Sequence, residues 1–517
     1  MPHSSTTAFP GKLACLISLV AASRLIAADY FVSTTGSDAN DGLSLSSPFR
    51  NIARAINAIQ AGDTIHVRGD GAPYAERVAF VGKIGTAELP ITLQTHEGDP
   101  PAILDLTGWE VPQTDRKEGI LRIENSQFIK VHRMVFRNFK TAGTNAQQRL
   151  QIPTGIYVNA TAGNTCSDIT LSQCQIHGIW TNFPVKYDLT GNAHGIIVMG
   201  RSAIPISRII IDSCHLHDLR LGASEALTLN GNVTDFRVTN NVIHDCNNIG
   251  IDFIGHESTY VGDEVPNVSE DRARHGVCRW NRVFRIDSST NPAYGGNFAG
   301  SFPDEASRTA TRAAGGIYVD GGRNVEIVEN DVEDCNIGIE VASEHFGKFA
   351  SNCQVISNRV HRCHVGGVFL GGGWTGNGGV ENILVTGNTL TQNDTARAGA
   401  GQVRIGNLVN STTISGNVMV ASTNDSGLAP FFIMKYLKNG AFFIIDHNIY
   451  AGVPVVNGVP QRNVAFDWND SFQITFSGWK QVSGKDTNSR FVSLPVPKSI
   501  TTPSGHTLRL FEPMAGQ

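Results

Sequence analysis

The sequence has no block of basic residues, no CxxC pair, and no apolar stretch of membrane-spanning length after its first thirty residues. Each absence removes a class of protein. The 41 Lys and Arg are mixed along the chain with 46 Asp and Glu for a formal net charge of −5, which argues against a nucleic-acid partner, because phosphate binding needs a concentrated cationic surface. The apolar run Leu13 to Ala22 is too short to cross a hydrocarbon core of roughly 30 Å. Following Lys12 and leading through Leu25-Ile-Ala-Ala to Asp29, it reads as a signal peptide over residues 1–28 cut near Ala28, although Arg24 interrupts the pattern. The expected mature chain is secreted, extracellular or periplasmic, with no membrane span after cleavage.

What is present is a repeat. Asn241, Asn281, Asn330, Asn358, Asn388, Asn417 and Asn448 recur along the chain, and Cys174 and Cys214 occupy the same slot upstream. The spacing is about 29 residues with two enlarged turns, the signature of a solenoid whose single domain grows by stacking. A second register runs through the same turns: Gly155-Ile-Tyr-Val, Gly195-Ile-Ile-Val, Ala226-Leu-Thr-Leu, Gly250-Ile-Asp-Phe, Gly316-Ile-Tyr-Val, Gly338-Ile-Glu-Val and Gly367-Val-Phe-Leu. Each is a short strand whose second and fourth residues are apolar, so the third faces outward.

The predicted fold is therefore all-β, a right-handed single-stranded parallel β-helix. The asparagines form a ladder inside one corner, as stacked amides do. Cys246, Cys335 and Cys363, each five residues after a ladder asparagine, read as stacked core thiols in preference to metal ligands. The apolar stripe Pro48, Phe49, Ile52, Ala55, Ile56 and Ile59 predicts a capping helix over Asn51 to Gln60, since an open solenoid end exposes core and strand edges. The β-helix with its cap is assigned to residues 29–450. Residues 451–517, where the pattern loosens, read as a C-terminal tail packed on the far end, a separate carbohydrate-binding module being the alternative.

The run Tyr30-Phe-Val-Ser-Thr-Thr-Gly-Ser-Asp-Ala-Asn-Asp-Gly, followed by Pro48-Phe, Ala61-Gly-Asp-Thr-Ile-His-Val-Arg and Gly85-Thr-Ala-Glu-Leu-Pro-Ile-Thr-Leu, resembles the opening of the pectate-lyase-like parallel β-helix superfamily, including family 9 polysaccharide lyases. The resemblance implies the fold and a polysaccharide or oligosaccharide partner. It leaves the reaction open, because the same opening precedes lyases, hydrolases and epimerases.

Long insertions at His256 to His275 and at Asp287 to Arg312 rise beside the strands whose outward places hold Asp252, Tyr318, Asp320 and Glu340. Strand geometry puts the Cα atoms of Asp252 and Glu340 about 9.6 Å apart and those of Asp320 and Glu340 about 8 Å apart. Inverting glycosidases separate their carboxyl groups by roughly 6.5–9.5 Å to admit water, and crowded carboxyls raise one another's pKa. Asp320 and Glu340 are the predicted catalytic pair, with Asp252 as water activator or orienting group. Hydrolysis of this kind requires no cofactor. A calcium site is the competing reading of the same carboxylates, and a solvated acidic patch is the third.

Around the pair, His256, Glu257, Arg323, Glu344, His345 and Lys348 are candidates to hold sugar hydroxyls or tune the carboxyls, and Tyr318 and Trp374 to stack on a sugar ring. Elimination from a uronate would instead use a base, Lys or Arg in the resembled superfamily, with a cation on the substrate carboxylate. The outward third-place column as read from the sequence offers neither Lys nor Arg, and the Asp-Asp-Gly-Trp-Asp type of calcium cluster expected of family 9 is missing. A glycan-binding β-helix without turnover is the remaining alternative.

Overall fold

The computed structural model describes residues 27–109, 118–141, 151–259, 270–421, 431–435, 439–452, 465–473, 475–493, 499–501 and 507–509. The predicted signal peptide lies outside the described residues, apart from its last two. Among the described residues three parallel sheets of 16, 12 and 13 strands run the length of a right-handed β-helix, and each coil contributes strands to them in turn. No described helix is long and apolar enough to cross a membrane.

The third sheet follows the register read from the Gly-apolar-X-apolar repeats. Ile156, Ile196, Leu227, Ile251, Ile317, Ile339, Val368, Val403, Ile433 and Phe466 lie in register across ten successive strands and are fully buried. Each such side chain contributes roughly 1.5–3 kcal/mol by leaving water. The glycine that opens the repeat is set by close approach at the corner. A Cβ at Gly250, Gly316 or Gly338 would sit 2.6, 2.8 or 2.5 Å from the carbonyl oxygen of Gly316, Gly338 or Gly367, its counterpart in the next coil.

The asparagine ladder is continuous. From Asn241 to Asn448, each backbone N–H and each side-chain Nδ2 donates to the Oδ1 of the next asparagine at 2.8–3.1 Å. Cys214 occupies the upstream slot, donating its N–H to Asn241 Oδ1 at 2.9 Å. At the far end Asn448 donates to Ser489 Oγ and Asp486 Oδ1. The eight cysteines among the described residues are buried free thiols, as stacking predicts.

A helix spans Ile52–Ala58, shorter than the predicted Asn51 to Gln60, with Ile52, Ala55 and Ile56 buried. Its first amide groups, Ile52 and Ala53, donate to the carboxylate of Glu76 at 2.7 and 3.1 Å. At the other end the coil pattern continues beyond residue 450. Ala465–Trp468 pairs with Phe431–Lys435, and Arg490–Ser493 pairs with Ile449–Gly452. The helix Phe476–Ser483 stacks Trp479 on Phe466 at 4.9 Å between ring centroids.

Asn358 serves four groups of neighbouring coils: Asn330 N–H, Asn330 Nδ2, Ile327 O and Asn388 Oδ1. Asn358→Ala orphans buried partners at ~1–3 kcal/mol each, so it should lower unfolding stability by roughly 2–4 kcal/mol. Exposed Glu326→Ala, mid-strand in Arg323–Val328, should change it by less than about 0.5 kcal/mol. Urea unfolding of both variants checks the contrast.

Candidate functional site

The outward residues of the third sheet form two columns. Thr228, Asp252, Tyr318, Glu340, Phe369 and Arg404 are mutual register partners on successive strands. Asp320 lies two residues beyond Tyr318, with Ala342 as its partner in the next coil. The three predicted catalytic carboxylates thus share one wall, and Tyr318 lies between Asp252 and Glu340 as predicted.

This outward wall is largely covered. Asp252, Asp320 and Tyr318 are 2%, 4% and 5% exposed, while Glu340 is half-buried. Part of the cover is Tyr294, in the turn Pro292–Tyr294 of the Asp287–Arg312 insertion, whose phenol accepts from Asn248 Nδ2 at 3.4 Å. The corner after Glu340 adds to it, where the Glu344 N–H donates to Asp320 Oδ1 at 2.8 Å. Of the His256 to His275 insertion, residues 260–269 lie outside the described residues.

Burial is the main reason these carboxyls hold their protons. It raises Asp252 well above the usual carboxylate range, helped by Glu225, Asp320 and Glu344. Asp320 is raised well above it too, with Glu344 adding repulsion and the Glu344 N–H opposing it. Glu340 is pushed up to about 8 by burial and Glu344, with the Arg404 guanidinium pulling it back. Glu344 at the exposed rim is raised by burial and by Glu257. Burial also lifts the Tyr318 phenol, so it stays protonated.

Several buried polar atoms of the wall accept or donate no hydrogen bond among the described residues: Thr228 Oγ1, Asn230 Oδ1, Asn248 Oδ1 and Asp252 Oδ1. Orphaned buried polar groups cost ~1–3 kcal/mol each and are rare in structural cores.

The other predicted residues divide. Glu257, at the exposed corner, accepts from Asn230 Nδ2 at 2.7 Å and so joins the wall. Trp374 is 65% exposed on a turn tied to the Glu344 corner through Asn377 Nδ2, which donates to Glu344 O at 3.1 Å. His345 accepts at its carbonyl from the Lys348 N–H. His256 and Lys348 line a neighbouring pocket with Arg272, Phe349, Ser351 and Glu381. Burial and the adjoining Arg272, Lys348 and His345 lower His256 to about 4, so it is neutral near pH 7.

Two sequence readings need correction. Arg323 does not turn toward the carboxylates: it opens the strand Arg323–Val328 of the first sheet and sits 3.6 Å from Glu270. The third-place column does contain a cation. Arg404 follows Phe369 in register and stacks its guanidinium over that ring at 4.9 Å. It escaped notice because the strand Val403–Ile405 follows Gln402, without the glycine that flags the other repeats.

Glu225, Tyr294 and Phe346 were also missed. Glu225, 8% exposed and 3.6 Å from His194, lies just before the Ala226 repeat. Phe346, 77% exposed, stands on the Glu344 corner. A larger groove on the first sheet, lined by Lys130, Asp168, Thr170, Arg208, Asp235 and Arg237 among others, contains none of the predicted residues.

Parallel coils, a buried aliphatic column and a laddered corner define a right-handed parallel β-helix, the fold that the resemblance to pectate-lyase-like proteins implied. The chain belongs to the family of the uncharacterized protein YwoF of Bacillus subtilis (strain 168), with 32% identity over 462 residues, 89% of this chain and 87% of that protein. It shares 26% identity over 184 residues with pectate lyase PEL9 of Emericella nidulans, 34% of this chain and 38% of the relative. Among solved structures, the GH136 lacto-N-biosidase from Eubacterium ramulus has the same fold with a TM-score of 0.51 at 13% identity, over 90% of this chain and 67% of that one. No family model matches the chain.

Glu340 links the wall to stability. Between its ordinary value of 4.5 and its folded value of about 8, the folded chain holds a proton that the unfolded chain has lost, so this group's contribution to stability falls as pH rises through that window. Glu340→Gln should therefore raise the melting temperature relative to wild type at pH 9 and leave little difference at pH 4. Melting curves at the two pH values check this; an equal gap at both would contradict it.

Proposed function

We propose that this protein is a secreted carbohydrate-active enzyme, a glycoside hydrolase that uses Asp320 as general acid and Glu340 as general base on an extracellular polysaccharide or oligosaccharide. The observation that carries this reading is the crowding of Asp252, Asp320 and Glu340 on one covered wall at different depths of burial. Asp320 and Asp252 are held well above the ordinary carboxylate range. Glu340 is pushed up to about 8, with the Arg404 guanidinium opposing the shift. One carboxyl that keeps its proton beside one that releases it is what acid–base cleavage of a glycosidic bond requires.

Asp320 protonates the departing glycosidic oxygen while Glu340 draws a proton from the attacking water. The ~8 Å between their Cα atoms, one coil and two residues apart, leaves room for that water and supports inversion. Asp252 and the orphaned Thr228, Asn230 and Asn248 atoms orient sugar hydroxyls. Exposed Trp374 and Phe346 offer stacking faces beside Glu344, as aromatic rings do for the apolar faces of sugars.

Arg404 supports a second reading, a calcium-assisted lyase acting on a uronic-acid polymer, since elimination from a uronate needs a cationic base or partner. Against it, no three acidic or histidine ligand atoms of this wall lie within 4.8 Å of one another among the described residues, which leaves calcium a poorly converged ligand set. A glycan-binding β-helix without turnover is the third outcome.

Purified protein incubated with neutral and uronic-acid polysaccharides, with and without chelator, separates the three. New reducing ends without unsaturated products, insensitive to chelator, are expected. Ultraviolet absorbance from unsaturated ends would establish elimination, and binding without cleavage would establish the third reading. Asp320→Asn and Glu340→Gln should each lower turnover by ~10²–10⁴-fold while glycan binding persists. Because Glu340 acts ionised, kcat/KM should fall as pH drops below about 8. Arg404→Gln should move that limb to higher pH; a limb unmoved by Arg404→Gln would remove Glu340 from the role of base.

A further inference from the structure

The outer face of the second sheet carries a row of histidines that the carboxylate wall does not use. His177, His217, His244 and Phe284 are register partners on four successive strands, and Gln175, His215, Val242 and Arg282 form the adjoining column. The rings stack at 4.8 Å from His177 to His217, 5.3 Å from His217 to His244 and 4.6 Å from His244 to Phe284. Stacking explains one column. It does not require the diagonal contact in which His215 Nε2 meets His244 Nε2 at 2.8 Å.

The proton positions in that contact follow from the partners. Asp245 Oδ2 lies 2.6 Å from His244 Nδ1, much nearer than Arg285 Nη2 at 3.4 Å, and a carboxylate only accepts, so the shorter contact places the hydrogen on Nδ1 and leaves Nε2 its lone pair. His215 Nε2–H then donates to it. Asp245 is itself fixed by two bonds from Arg285, at 2.7 and 2.6 Å. A carboxylate orienting an imidazole through Nδ1, so that Nε2 faces outward as a base, is the outer-shell arrangement of histidine metal ligands. The His244 side chain is 16% exposed and His215 is half-buried, so both are partly exposed.

We propose that His215 and His244 form a transition-metal site, taking Zn2+ or a neighbouring divalent ion through their Nε2 atoms and clamping two successive coils together. Imidazole nitrogen is the preferred ligand of these ions. At metal–nitrogen distances of about 2.0–2.1 Å in tetrahedral geometry the two nitrogens stand about 3.3 Å apart, so the rings separate by only about 0.5 Å. His215 moves its proton from Nε2 to Nδ1, the ion takes the place of that hydrogen, and water fills the remaining positions. His217, whose Nε2 is engaged by Gln175 Nε2 at 2.8 Å, stacks beside the pair and is not a ligand.

Calorimetric titration of the chelator-stripped full chain with ZnCl2 tests this. One Zn2+ per chain with micromolar affinity is expected, weakened at least tenfold by His215→Ala and by His244→Ala and unchanged by His177→Ala. Asp331, Glu333 and His361 are the one group of three converging ligand atoms among the described residues, so His361→Gln serves as the control and should also leave binding unchanged. Absence of binding at millimolar Zn2+, or loss of binding in His361→Gln with retention in His244→Ala, overturns the proposal. Should a histidine variant fail to fold, paramagnetic resonance of wild type with one equivalent of Cu2+ decides: coupling to two imidazole nitrogens supports the pair, and coupling to one or none overturns it.

Discussion

Each coil must reach the same corner in the same rotation, because one asparagine carboxamide there serves two coils at once. Its oxygen takes both the backbone and side-chain N–H of the preceding asparagine, and its own Nδ2 reaches a carbonyl and the next amide. A slip of one residue would orphan several buried groups and turn every side chain of the following strand to the opposite face. The glycine corner adds a steric condition, since backbones there approach to distances that exclude a Cβ. Everything on the outer walls inherits its position from these two constraints.

The acidic wall follows directly. Asp252, Asp320 and Glu340 are far apart in the chain, and the fixed register brings them onto neighbouring strands of one sheet. A rigid stack cannot let like charges drift apart, and Asp252 and Asp320 are left with only 2% and 4% exposure. Repulsion and burial therefore act together, and the wall holds protons at pH values where free carboxyls would have lost them. Arg404, one coil past Phe369, opposes the effect at Glu340.

The fold was legible because its causes are periodic. Asparagines at about 29-residue spacing and alternating Gly-apolar-X-apolar strands leave a trace in any single sequence, and they placed Asp252, Tyr318, Asp320 and Glu340 in their correct columns. What escaped was aperiodic. Arg404 belongs to a strand whose preceding glycine is replaced by Gln402, so the Gly-apolar-X-apolar repeat does not extend to it or to the two strands that follow. Tyr294 comes from an insertion whose path depends on Asn291 reaching the carbonyls of Gly222 and Asn247, contacts that no local motif announces. Arg323 was misplaced because it follows Asp320 by only three residues while the chain turns the corner between them into another sheet.

The central claim is that a sugar polymer lies along the third-sheet wall with its scissile bond between Asp320 and Glu340. A crystal structure of the Asp320→Asn variant soaked with an oligosaccharide cleaved by the wild type tests it most directly. The account predicts the glycosidic oxygen within hydrogen-bond distance of position 320, with a water held between the sugar ring and Glu340. An oligosaccharide lying instead in the first-sheet groove beside Lys130, Arg208 and Arg237 would contradict it.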